Sequence, residues 1–159
     1  VSRDGGLRPL FALRFPTWHW VALEVAGLGR GVPDAEYAAP PAGVRVGSCN
    51  SQYQPATTGW CEFKQTATWS VDLRPEQVAW CVRRARAGGR VTVAVRRKHL
   101  GGPRKGLPVD QLWLVDGALG AAARAKGLVS GAEWVLGWWD GGPRGWDWGA
   151  VEQILRRST

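Results

Sequence analysis

The sequence predicts an α/β domain, a mixed β-sheet flanked by helices, with its elements running β-β-β-α-β into a mixed tail. Three observations carry that prediction. Segments 18–25, 32–38 and 59–66 read as strands. Over 74–87 the apolar period changes to that of an amphipathic helix, and at 90–98 the two-residue alternation returns. Strands interrupted by a helix in this way belong to α/β chains.

In the first strand, WHWVALEV, Trp18, Trp20, Ala22 and Glu24 share one side, which puts a carboxylate on an otherwise apolar face. Gly27, Gly29 and Gly31 mark a turn, and 32–38 forms the second strand, where Pro33 is tolerated at a strand start or an edge because it has no N–H. Segment 39–58 carries dense turn signals and reads as a long loop or irregular hairpin. After the third strand, Val78, Cys81, Val82 and Ala85 fall at i, i+3, i+4 and i+7, with Pro75 in the first turn and Gly88-Gly89 as the stop. The strand at 90–98 alternates on Val91, Val93 and Val95, and a loop leads to a shorter strand at 111–115. An Ala-rich helix at 118–128 follows, and Trp148, Val151 and Leu155 define a closing helix with Asp147 as its N-cap.

A length of 159 residues suits one domain, with a core over about 18–98 and a Trp-rich C-terminal elaboration over about 110–157. GGPR recurs at 101–104 and 141–144 without a longer period, which excludes solenoids and propellers. Lys and Arg outnumber Asp and Glu by 21 to 13, a net charge of +8 that attracts polyanions. No run is apolar enough for a membrane span, and the first residues have no signal-peptide character, so an intracellular protein is expected. Cys49, Cys61 and Cys81 lack CxxC spacing, and with only His19 and His99 beside them a structural zinc site is not expected. Cys61 and Cys81 read as small buried apolar residues of a reducing compartment.

The chemistry concentrates in Trp60-Cys61-Glu62-Phe63-Lys64. Alternation places Glu62 and Lys64 on one face, roughly 6 to 7 Å apart at Cα, with Cys61 and Phe63 turned into apolar packing. Alone, such a triplet is an ordinary solvated strand pair. Asp34, at the head of the preceding strand, changes its meaning: if the two strands are neighbours, two carboxylates meet at one sheet edge. Two carboxylates, a backbone carbonyl and a substrate phosphate oxygen suffice for Mg²⁺, which keeps several waters. Lys64 would then stand beside the nucleophilic water.

In their order, GVPD, WCEFKQT, RPEQVAW and GGRVTVAVRR, these segments resemble the PD-(D/E)xK nuclease superfamily, and within it the VRR-NUC and phage Holliday-junction-resolvase-like branches. The resemblance covers roughly 23–97. It implies a restriction-endonuclease-like core and a Mg²⁺- or Mn²⁺-dependent DNA endonuclease acting on branched DNA as a homodimer, in the cytoplasm of a bacterium or phage-infected host. It also implies roles: Asp34 and Glu62 as metal ligands with the Phe63 carbonyl, Lys64 positioning water, Gln77 supporting the site from the helix, and Glu24, the only acidic candidate on the first strand, as an upstream ligand. The segment 40–58 is longer than the turn that joins these strands in the family, and the tail at 134–148 has no family counterpart.

Arg83, Arg84, Arg86, Arg90, Arg96, Arg97 and Lys98 are candidates for DNA phosphate contact. Trp138, Trp139, Trp146 and Trp148 are able to stack on unpaired bases, although closing the core or a subunit interface is the commoner role for such rings. Glu36 shares a strand face with Asp34, where a solvated carboxylate is the ordinary state, and His99 reads as a surface histidine. Three rival functions remain: a catalytically silent nucleic-acid-binding module of the same fold, a restriction-type or linear-duplex nuclease, and a plain assembly protein whose charge only aids solubility.

Overall fold

A computed structural model describes residues 4–23, 31–41, 56–102 and 106–157. A six-stranded mixed sheet is flanked by helices on both faces. Its strands are β1 (His19–Ala22), β2 (Ala35–Ala39), β3 (Thr57–Thr66), β4 (Val91–His99), β5 (Val109–Asp116) and β6 (Val135–Trp139), side by side in chain order. The helices are α1 (Leu7–Arg14), α2 (Pro75–Arg86), α3 (Gly120–Lys126), preceded by one 3₁₀ turn, and α4 (Trp148–Arg156). Every neighbouring pair is antiparallel except β3 and β4, which are parallel because α2 carries the chain back across the sheet.

Two apolar layers follow from strand alternation. Cys61, Phe63, Ala94, Leu112 and Leu114 face α1 and α4, where Phe11 is fully buried among the rings of Phe15, Trp20, Phe63 and Trp148. Val93, Val95, Trp113 and Val115 face the other way, under Leu73, Ala123 and Leu128. Glu62 and Lys64 alternate with Cys61 and Phe63 and so belong to this second face, beneath α2.

Most expected elements are present with shifted ends. β2 begins at Ala35 rather than 32, which leaves Asp34 just outside the ladder, and α3 with its 3₁₀ turn is shorter than the helix expected at 118–128. Asp147 caps α4, accepting from the Ala150 N–H at 2.9 Å. α1 and β6 were not expected. α1 has only eight residues, too few to be stable alone, and depends on burying Leu7 and Phe11. In β6 the alternation is obscured by Gly137, beside which Trp139 and Ile154 pack. The Trp-rich tail continues the same sheet and core, for Trp146, Val151 and Leu155 are buried with Phe11, and the Tyr37 hydroxyl donates to the Leu155 carbonyl at 2.8 Å. Segment 42–55, most of the expected long loop, lies outside the described residues, as does Cys49. Cys61 and Cys81 are buried free thiols whose ionisation burial opposes.

Candidate active site

Four of the residues singled out from the sequence meet at one end of the sheet. The β2–β3 ladder ends with Ala35 opposite Cys61, which puts Asp34 one step further on, opposite Glu62. There the Asp34 side chain takes over from the ladder: its Oδ2 accepts the Phe63 N–H at 2.8 Å. In an extended strand a residue's N–H and C=O face the same neighbour, so the Phe63 carbonyl lies on the Asp34 side of β3.

Gln77 is the hub of the arrangement. As the third residue of α2 it accepts the orphan N–H of Arg74 at 3.0 Å, half of a capping box. The same Oε1 accepts from Lys64 Nζ at 3.1 Å, and Nε2 donates to Glu62 Oε1. Lys64 Nζ closes the triangle, 2.8 Å from Glu62 Oε1. Both donors on the Oε1 side are obligatory, so the orientation of the Gln77 amide is fixed.

Gly31 permits this approach. Its φ of 98° is left-handed, and a methyl there would overlap the Glu76 carbonyl in the first turn of α2. The Gly31-Val32-Pro33-Asp34 segment therefore runs directly against the helix start that holds Gln77.

Glu62 is 1% exposed. Burial, and then the charge of Asp34, push its carboxyl up to about 7, against the opposing pull of Lys64 and Arg74. Its Oε2 is buried with no hydrogen-bond partner among the described residues. An unsatisfied carboxylate oxygen beside a second carboxylate calls for a cation, and the donor set, carboxylates with a carbonyl, suits a hard one such as Mg²⁺ or Mn²⁺. The residues present fit that metal. Among the described residues no group of three or more His, Cys, Asp or Glu side chains converges, and Glu24 lies outside them.

The other candidates are distributed differently. Glu36 stands one row back on the same face, between Val21 and Trp60. Arg83, Arg84 and Arg86 are exposed on α2, with the Arg84 guanidinium 3.8 Å over the Trp60 ring. Arg90 binds the Thr58 and Arg157 carbonyls near the opposite end of the sheet. Arg96 and Lys98 are on the face turned away from Glu62. There Arg96 makes two 2.7 Å bonds to Asp110 and one of 2.9 Å to the Gly5 carbonyl. Arg97 does lie on the Glu62 face, but buried, with its guanidinium 3.6 Å over Trp69 and Nη1 bonded to Gln111 at 3.1 Å. The His99 Nδ1 accepts from the Gly101 N–H at 3.3 Å. Trp139, Trp146 and Trp148 pack into the core, whereas Trp138 is 41% exposed.

Arg74 and Trp69 escaped sequence reasoning. The signal for Arg74 was its place directly before Pro75, since the residue preceding a helix-starting proline is the N-cap; Trp69, in the loop after β3, gave none. No family model, no curated protein and no solved structure matches the chain. Among the described residues, no helix is long and apolar enough to cross a membrane.

Proposed function

We propose that the chain is a divalent-metal-dependent DNA endonuclease of the PD-(D/E)xK type, with a restriction-endonuclease-like core, that hydrolyses phosphodiester bonds in branched DNA. The observation that carries this reading is the convergence of Asp34, Glu62, Lys64 and Gln77, with one buried Glu62 oxygen left unsatisfied. The mixed sheet supports it, because Asp34 enters at the head of β2 and Glu62 and Lys64 from β3, the order the resemblance requires.

Asp34, Glu62 and the Phe63 carbonyl would hold the cation, which supplies Lewis-acid stabilisation of charge on the attacked phosphate and the departing oxygen. Lys64 orients the attacking water and offsets phosphate charge, while its own position is fixed by Glu62 and Gln77. Gln77 holds Glu62 Oε1 and so turns Oε2 to the task of ligation. The exposed arginines of α2 give phosphates a cationic approach. A two-fold dimer, the resolvase arrangement, would present two such sites to paired strands.

The test is cleavage of a four-way junction and of a matched linear duplex with Mg²⁺ or Mn²⁺, comparing wild type with Lys64→Ala. Metal-dependent nicking lost in Lys64→Ala, with the junction preferred, is the expected result. Binding without nicking under any metal would leave a silent nucleic-acid-binding module, and equal cutting of the duplex would make the enzyme a linear-duplex nuclease.

A further inference from the structure

We infer that Trp69 and Trp138 form a stacking platform for unpaired DNA bases, on the same sheet face as the carboxylate pair. The inference deepens the proposed function and rests on its claim that the chain acts on DNA.

The strand register places the platform. Lys64 pairs with Val95, Val95 with Trp113, and Trp113 with Trp138, so one row of side chains runs from the candidate site to β6. Three strand spacings of roughly 4.8 Å separate its ends by about 14 Å. A strand of about four bases at a rise of roughly 3.4 Å spans that distance.

The two rings are exposed and firmly held. Trp69 is 51% and Trp138 41% exposed. Trp138 lies parallel to Trp113 at 5.1 Å and 12°, and its indole N–H donates to Ser130 at 3.0 Å. Trp69 meets Trp113 edge-on at 86° and has the Arg97 guanidinium over its ring at 3.6 Å. Arg97 is anchored in turn through Gln111, which bonds Trp113 at 3.2 Å and Asp140 at 3.2 Å. Rings fixed in this way lose little freedom when a ligand stacks on them.

Charge and shape select the occupant. The Arg97 guanidinium lies over the Trp69 ring in a chain of net charge +8, which suits a polyanion. Duplex bases have their faces covered by their neighbours, so only an unpaired strand offers rings to stack. Branched DNA supplies unpaired bases next to the phosphates it presents for cutting.

The test uses labelled oligonucleotides without divalent metal, read by fluorescence anisotropy: a single strand, the same strand with abasic sites, and a matched duplex. Wild type is expected to bind the intact strand more tightly than the abasic one. Trp69→Ala and Trp138→Ala should each weaken only intact-strand binding, about 5- to 150-fold, the range of one lost base stack. Trp138→Phe, which keeps a stacking face, should restore most of it, and Trp138→Leu should not. Thermal melts that match wild type show the variants to be folded. Equal binding of intact and abasic strands, parallel losses on the duplex, or no binding to any strand overturns the inference. Failure of metal-dependent cleavage with base-dependent binding intact would instead overturn the nuclease reading alone.

Discussion

Replacing Glu62 by Gln is expected to stabilise the metal-free protein at pH 8 and to leave it almost unchanged at pH 4. The Glu62 carboxyl is held at about 7 rather than 4.5 by burial and by the Asp34 charge. A carboxyl raised in this way binds its proton more tightly folded than unfolded, so stability is fully present below about pH 4.5. It falls as pH rises and is lost by the time pH has passed through 7. A shift of that size at about 1.4 kcal/mol per unit corresponds to roughly 3 kcal/mol. Gln resembles the protonated acid and retains none of this loss. Urea unfolding of wild type and Glu62→Gln in EDTA, at intervals from pH 4 to pH 8, measures the difference, and titrations common to both proteins cancel. The gap should open from near zero to about 3 kcal/mol. A constant gap, or a variant less stable at pH 8, would refute the account of Glu62 as a buried acid with one unsatisfied oxygen. Saturating Mg²⁺ or Mn²⁺ should close the gap by stabilising wild type alone, through its binding free energy.

Further outcomes follow from the same contacts. Gly31→Ala should destabilise by at least about 1 to 2 kcal/mol in urea melts, because its φ is left-handed and the methyl meets the Glu76 carbonyl. Arg96→Ala should lower stability through loss of the Asp110 pair while leaving DNA affinity unchanged. Arg83→Ala and Arg86→Ala should do the reverse, each reducing the slope of log K against log salt by about 1. Tyr37→Phe should lower stability by about 1 kcal/mol, since it leaves the buried Leu155 carbonyl without its donor.

Local periodicity made the centre of this molecule legible. Alternation in β3 separates Glu62 and Lys64 from Cys61 and Phe63, and Pro75 with Gly88-Gly89 brackets α2. What the sequence concealed depends on distant partners. Arg96 and Arg97 read as free cations until β5 brings Asp110 and Gln111 beside them. α1 was hidden because its stability comes from packing rather than from its own eight residues, and β6 because Gly137 interrupts a run of large rings. The tail looked like an appendage, yet its strands complete the sheet and Leu155 accepts from Tyr37.

The burial of Glu62 shows how fold and site are coupled. An E-x-K triplet on a strand is ordinarily solvated, and nothing within β3 dictates otherwise. The change comes from Gln77, fifteen residues away, whose carbonyl oxygen caps α2 and whose amide nitrogen seizes Glu62. Forming the helix start therefore draws the carboxylate out of water. Its ionised state is then disfavoured, so the same contact that stabilises α2 leaves one carboxylate oxygen open to the proposed metal. Gln77→Glu would keep a capping acceptor but set two carboxylates against each other, and should lose metal-induced stabilisation before it loses the helix. Gln77→Leu should lose both, because the Arg74 N–H would lose its acceptor and Glu62 the amide donor that aims it, leaving Lys64 alone on Oε1. A metal-induced shift in melting temperature that survives Gln77→Leu would show that Glu62 is aimed by something other than the helix cap.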